Sequence, residues 1–288
     1  MLEWLHRKGR SPRVGVALGG GGAKGLAHLL MLETLDELGL RPAMVAGTSI
    51  GAVVGALYCA GVSPALLRRE LTEMSLSNNG VLDTFRSGRE VLRWLDFFRP
   101  QLSASGLLKA ERFLQYLTDH TPVRHFEELE VPLKVVAADF YRREQVVFDT
   151  GPLLSAVAAS MALPGVFPPV VRDGRVLVDG GAVNPVPYDL LKPHCDLVIA
   201  IDVMGRRSES ETKVPSIADA ILNTFQIMER SITREKLRAV PVDIYIEPEI
   251  ADIRALEFYK AEDIFRQAAP ACEDLRRALT QRFHLAAE

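Results

Sequence analysis

Val45-Ala46-Gly47-Thr48-Ser49-Ile50-Gly51-Ala52-Val53-Val54-Gly55-Ala56-Leu57-Tyr58-Cys59-Ala60 joins a short apolar run, a G-x-S-x-G pattern and a stretch of small apolar residues. That succession is a nucleophile elbow, in which a tight strand-to-helix turn lifts one serine hydroxyl clear of its neighbours. Ser49 is the candidate nucleophile. Gly47 and Gly51 flank it because the turn demands unusual backbone angles and lets strand and helix cross without Cβ clashes. The start of the following helix brings unpaired N–H groups and a positive dipole end to the place where an oxyanion would form. Five residues with three fixed positions also arise by chance in a Gly- and Ala-rich chain; the strand-turn-helix context gives this one its weight.

Upstream, Arg13 to Leu18 carries Val14, Val16 and Leu18, a short buried strand running into Gly19-Gly20-Gly21-Gly22-Ala23-Lys24-Gly25. Ala23 to Leu38 then spaces Leu26, Leu29, Leu30, Leu35 and Leu38 as a helix with one buried face, ended by Gly39. Three chemistries use a glycine loop in this place. A Walker phosphate loop needs Gly-Lys-Ser/Thr, and Lys24 stands between Ala23 and Gly25. A dinucleotide fingerprint is matched by Gly20, Gly22 and Gly25, but the acidic residue it needs about 20 positions on is replaced by Ala46 and Gly47. The third use is an oxyanion hole, in which glycine N–H groups meet the negative charge developing on an ester carbonyl. Loops after neighbouring parallel strands converge at their carboxyl ends, so this loop and the Ser49 elbow can share one crevice. Together they favour acyl transfer over the nucleotide-binding alternative.

The remaining pattern alternates strands and helices. Pro64 to Leu76 reads as a helix, Val131 to Ala138 and Val146-Val147-Phe148 as strands, and Pro152 to Met161 as a helix. Ala162 to Pro169 is a rigid loop placed to line a pocket. Val170-Val171 and Arg175 to Val178 form a hairpin about Asp173-Gly174 that delivers Asp179-Gly180-Gly181 at a strand end. Leu197 to Val203 and Asp243 to Glu247 are further strands. Phe85, Trp94, Phe97 and Phe98 fall in an apolar region, 79–106, that serves either as lid or as core. A helix over Ala110 to Leu117 and a polar loop over Gly205 to Pro215 are expected. Ile217, Ile221, Phe225, Met228 and Ile232 share one helical face, expected to pack against the core, and the tail from Leu256 to Phe283 is expected to be helical with a break at Pro270. No repeat or composition shift marks a boundary. The expectation is an α/β fold, residues 13–288 as one domain after a leader of residues 1–12, with a motif-bearing core over 13–205 and a helical extension over 206–288.

The chain has 288 residues, 48% of them hydrophobic and 25% charged, and a net charge of -3. Nothing in that balance supplies the basic face a nucleic acid needs, so no nucleic-acid partner is expected. Cys59, Cys195 and Cys272 are widely separated, form no metal-ligand pattern and read as free thiols of a reducing compartment. The first residues lack the apolar core of a signal peptide and no run reaches the ~20 apolar residues of a membrane span, so a cytoplasmic location is expected. Trp4 beside His6, Arg7, Lys8 and Arg10 allows a transient membrane-surface contact.

A serine hydroxyl needs a base, usually a histidine. His194 and His284 lie downstream without a strand-end context, and His28, His120 and His125 read as structural. The alternative is Asp179. A carboxylate with an ordinary pKa of about 4 serves only when held against the hydroxyl in a partly dry site, and a glycine-flanked strand end can hold it so.

Gly20-Gly21-Gly22-Ala23-Lys24-Gly25, Gly47-Thr48-Ser49-Ile50-Gly51 and Asp179-Gly180-Gly181, in that order and at those separations, resemble the patatin-like phospholipase family, specifically its short bacterial members. Ala159 to Phe167 and Gly181 to Pro187 match its intermediate blocks, and the likeness spans roughly Val14 to Val203. The resemblance implies a three-layer α/β/α sandwich with a largely parallel central sheet, and a serine–aspartate dyad without histidine. It makes Ser49 the nucleophile, Asp179 the base, and Gly20 to Gly22 the oxyanion loop, with N–H groups donated by Gly21 and Gly22. Lys24, Gly25, Gly47, Gly51, Gly180 and Gly181 would support them. It further implies a lipid or acyl-ester substrate, with no metal or organic cofactor. Ala27-His28-Leu29-Leu30-Met31-Leu32 departs from the family's usual Ala-His-Ile-Gly-Val-Leu, on the helix and away from the chemistry.

Overall fold

The computed structural model describes residues 12–77, 118–205 and 214–285. The expectations for the leader as far as residue 11, the 79–106 region, the 110–117 helix and most of the 205–215 loop lie outside these residues. Eight strands form one mixed sheet: β1 (Val14–Leu18), β2 (Met44–Thr48), β3 (Leu133–Asp139), β4 (Glu144–Phe148), β5 (Val170–Arg172), β6 (Arg175–Asp179), β7 (Leu197–Ile201) and β8 (Ile244–Ile246). β3, β2, β1, β7 and β8 run parallel in that order. β4 pairs antiparallel with β3 and β5 with β6, as strands joined by tight turns must, and β6 also runs antiparallel to β3. Asp173 and Gly174 both take positive φ, 52° and 71°, the condition for a two-residue hairpin turn that follows the sheet twist.

β3 carries more than two neighbours because two of them share one edge. Its residues Val135 to Asp139 pair with β4, so the other strands must lie on the opposite edge. There β2 pairs with Leu133 to Val136, and β6, running the other way, takes Ala137 to Asp139. β2 and β6 therefore meet end to end, each with its carboxyl end toward the other.

The helices are α1 (Ala27–Glu37), α2 (Ile50–Cys59), α3 (Pro64–Ser77), α4 (Leu153–Ser160), α5 (Ile217–Ala239) and α6 (Ala261–Leu285). Alternation along the central strands sorts side chains by size. Val14, Val16, Leu18, Val45, Ile199 and Ile201 join α1, α2 and α6 in the large core, while Ala17, Ala46, Val198 and Ala200 face Val186, Tyr188 and Leu191 on the other side. Small residues on that second face let a thin layer sit close to the sheet.

Two helical expectations are corrected. Ile217, Ile221 and Met228 are 83%, 54% and 51% exposed, Phe225 and Ile232 are half-buried, and the residues α5 buries are Glu229 and Thr233. Periodicity locates an apolar face but does not say which face meets the protein. Here Lys236, on the inward side, donates to Val186 O at 2.5 Å and to Asp189 Oδ1 at 2.6 Å, and its Nζ stands over the Tyr188 ring. α6 also continues through Pro270 without a break. Pro270 is on the exposed side, and the stripe Ile264, Phe265, Ala268, Ala271, Leu275, Leu279 and Phe283 stays buried in the large core on both sides of it. Tertiary burial at about 1.5–3 kcal/mol per large side chain offsets the hydrogen bond that a proline removes. No helix among the described residues is long and apolar enough to cross a membrane.

Candidate active site

Ser49 sits between β2 and α2 with φ 55° and ψ −125°, a sparsely populated conformation that costs about 1–3 kcal/mol and holds only where the surroundings enforce it. The surroundings do so from three directions. Its N–H donates to the buried Ser160 Oγ at 2.9 Å, and the adjacent Thr48 Oγ1 donates to Asn184 O at 2.7 Å. The turn also closes on itself: a Cβ at Gly47 would stand 2.6 Å from Ala52 Cα, and one at Gly51 would run into Leu18 O and lie 2.8 Å from Gly19 O.

Asp179 ends β6 opposite Ala137, one position along β3 from Thr48 opposite Val136. Its carboxylate is fixed at both oxygens. Oδ2 accepts from Ser49 Oγ at 2.7 Å and Oδ1 accepts from Gly181 N–H at 2.8 Å. Burial pushes its pKa up to about 6, against the opposing pull of the Gly181 and Ser49 hydrogen bonds. A Cβ at Gly180 would reach Val136 C at 2.7 Å, so the aspartate turn needs glycine there to lie against the strand.

The glycine loop follows β1, the central strand whose neighbours β2 and β7 diverge in sequence, the position where α/β sheets open a crevice. Gly19 N–H donates to Ile201 O, Gly20 N–H to Pro185 O and Ala23 N–H to Ala255 O. The assignment of Gly20 to the oxyanion loop is thereby narrowed, since its N–H is already engaged. Gly21 and Gly22 line the same pocket as Ser49, and among the described residues neither N–H has an acceptor. The loop is held from beneath by His28, whose Nε2 lies 2.8 Å from Gly19 O; burial lowers its pKa to about 4, so the ring is neutral and donates. Lys24 and Gly25 do not line the pocket. Lys24 is buried with Nζ 3.5 Å from Ile253 O, and a Cβ at Gly25 would press into Ile50.

Ile50, Met161, Leu163, Phe167, Leu222, Phe225, Ala255, Leu256 and Phe258 make the rest of the pocket wall apolar, with Gln226 and Glu229 as further polar members. Leu163 and Phe167 belong to the rigid loop expected to line a pocket. His194 is exposed, and His120 Nε2 contacts Glu70 Oε2 at 3.1 Å; neither lines the pocket. Ser160 and Glu229 carry no motif of their own. Ser160 lies within the matched block Ala159 to Phe167, its only signal; Glu229 has none, being an acid at the border of the α5 apolar face, one turn from Phe225, with which it lines the pocket.

A family model described as patatin-like phospholipase matches residues 16–192. An uncharacterized NTE family protein of Mycobacterium tuberculosis is 38% identical over 200 residues, covering 69% of this chain and 51% of its own. Patatin-like phospholipase domain-containing protein 6 of Homo sapiens is 31% identical over 220 residues, covering 75% of this chain and 15% of its own. The chain thus spans about half the length of the mycobacterial relatives it matches. Among solved structures, VipD from Legionella pneumophila shares the fold with a TM-score of 0.50 at 12% identity, covering 92% of this chain and 67% of its own.

Proposed function

Because the chain belongs to the patatin-like phospholipase family, we propose that it is a serine acyl hydrolase that cleaves lipid esters of the phospholipid or lysophospholipid type through a Ser49–Asp179 dyad. The observation that carries the reading is the 2.7 Å hydrogen bond from Ser49 Oγ to a carboxylate in a buried, apolar-walled pocket.

In the first half-reaction Ser49 Oγ attacks the ester carbonyl carbon and its proton passes to Asp179. The tetrahedral oxyanion is met by Gly21 and Gly22, whose N–H groups have no acceptor among the described residues to give up. Asp179 returns the proton to the departing alcohol. Water then attacks the acyl-enzyme, Asp179 takes its proton, and Ser49 is released with the fatty acid. A carboxylate raised to about 6 is still ionised at neutral pH and is a better base than an ordinary one. The apolar wall fits an acyl chain, and residues 13–288 act as one domain, since Ala255 from the C-terminal part clamps the glycine loop. The site is reached from the reducing interior of the cell, with transient contact at a membrane surface.

The test is fatty-acid release from a lysophospholipid and from an aryl ester by wild type, Ser49→Ala and Asp179→Asn, beside labelling by a serine-reactive phosphonate. Turnover and labelling in wild type with both variants folded but inactive supports the dyad. Turnover by Asp179→Asn overturns it, and an inert, unlabelled wild type leaves a lipid-binding protein without catalysis.

A further inference from the structure

Glu229 is 5% exposed, lines the same pocket as Ser49, Gly21, Gly22 and Asp179, and has no hydrogen-bond partner among the described residues. Its carboxyl faces the pocket, where a molecule from outside the chain can supply the hydrogen bonds that the described residues do not. Its location is tightly specified. A Cβ added to Gly181 would run into Glu229 Oε1 while standing 3.1 Å from Asp179 Oδ1, so the two carboxyl groups flank one glycine. A Cβ added to Gly20 would lie 3.6 Å from the same Oε1 and 3.5 Å from Ser49 Cβ. Glu229 therefore enters between the glycine loop and the aspartate turn, across from the serine. Burial first, then the charges of Asp179 and Asp202, raise its pKa well above the usual carboxylate range, against the pull of Lys24. With the ionised Asp179 beside it, a second charge on Glu229 is disfavoured, as between other adjacent carboxyls that share a site.

Resting on the acyl-hydrolase reading above, we propose that Glu229 positions the water that hydrolyses the acyl-enzyme. Both ends of the intermediate are otherwise provided for: the carbonyl oxygen by Gly21 and Gly22, and the departing proton by Asp179. What lacks an acceptor is the water's second hydrogen. With one O–H directed at Asp179 and the other at the carbonyl oxygen of the Glu229 acid, a lone pair is aimed at the acyl carbon. The water oxygen bonds to that carbon, one of its protons moves to Asp179, the carbon–Oγ bond of Ser49 breaks, and Asp179 delivers the proton to Oγ. Glu229 neither gains nor loses a proton, so a neutral amide should substitute for it.

The experiment is pre-steady-state hydrolysis of a p-nitrophenyl ester by wild type, Glu229→Leu and Glu229→Gln, with the phosphonate labelling rate and melting temperature of each. Glu229→Leu is expected to label at close to the wild-type rate and give a full burst, followed by steady-state turnover slowed about 10²-fold, the size of effect expected of a misplaced reactant. Glu229→Gln is expected to restore most of the deacylation rate. Equal losses in burst and steady state, or no loss in either, overturn the proposal. So does a Gln variant as slow as the Leu variant, which would require the ionisable group itself. Failure of the dyad is distinguishable, because wild type would then show neither burst nor labelling.

Discussion

Thr48 and Asp179 occupy consecutive places on one edge of β3, opposite Val136 and Ala137, although 131 positions separate them in the chain. This abutment brings Ser49, the next residue after Thr48, within 2.7 Å of Asp179. The distance is set by two strand registers in a buried sheet, so the pair is pre-positioned before any substrate arrives. Asp179→Asn should keep this geometry and lose the base, lowering kcat by about 10³–10⁴-fold, within the contribution of a positioned proton acceptor. In wild type, kcat/KM should be flat above about pH 6 and fall roughly tenfold per pH unit below it, because only the ionised Asp179 accepts a proton. A profile measured on an aryl ester that stays flat to pH 5 would exclude Asp179 as the base.

Ser160→Ala tests the support of the elbow. Its Oγ accepts the Ser49 N–H, and removing it leaves that donor unpaired beside a strained residue. The expected cost is about 1–3 kcal/mol of stability, accompanied by lower kcat with little change in KM, since the serine is displaced and the apolar wall is not. Urea denaturation and steady-state kinetics on the same preparation measure both. A loss of stability with unaltered kcat would mean that Thr48 and the glycines hold the elbow without it.

Gly51→Ala should be worse by a different mechanism. The added methyl would run into the backbone carbonyls of Leu18, the end of the central strand, and Gly19, the first residue of the loop after it, which cannot step aside as a side chain could. The crossing of α2 over β1 must open, and loss of soluble protein or a drop in melting temperature of more than 10 °C is expected, corresponding to several kcal/mol. A Gly51→Ala protein melting like wild type would show that the helix start is free to shift.

The residues legible in the sequence were those whose role is fixed by local backbone. Gly47, Ser49 and Gly51 announce a turn by spacing alone, and Asp173-Gly174 announces the hairpin that places Asp179. The chain order of strands followed from runs such as Val14 to Leu18. What pattern could not supply was register. Nothing in Arg175 to Asp179 says that it will share an edge of β3 with β2, and nothing in α5 says that its polar side will turn inward. Glu229 was invisible for that reason: an acid in a helix reads as solvated until a tertiary contact buries it. Pro270 failed in the opposite direction, a local rule overruled by the buried stripe on either side of it.

His28 and Asp179 perturb stability with opposite signs over nearly the same pH range, and the two can be separated. His28 has its pKa lowered from 6.5 to about 4 by burial, so between those values the unfolded chain binds a proton that the native protein refuses. Its contribution to stability is present above pH 6.5 and is lost as pH falls toward 4. Asp179 has its pKa raised from 3.8 to about 6, so in the native state it holds a proton that the unfolded chain has released. Its burial as a charge therefore destabilises the fold above about pH 6, and that penalty is relieved as pH falls toward 3.8. Each shift corresponds to about 3 kcal/mol, so the two largely cancel in wild type between pH 6 and 4. Asp179→Asn should be more stable than wild type at pH 7 and lose that advantage steeply on acidification, because the His28 term is left unopposed. His28→Gln retains a donor for Gly19 O and removes the acid-side loss, so its stability should rise as pH falls from 6 to 4, less whatever its altered packing costs at every pH. Urea midpoints at pH 7 and pH 4.5 for the three proteins read the difference directly. Parallel shifts in all three between the two pH values would mean that neither buried group differs between folded and unfolded states, and would remove the physical basis for a raised Asp179.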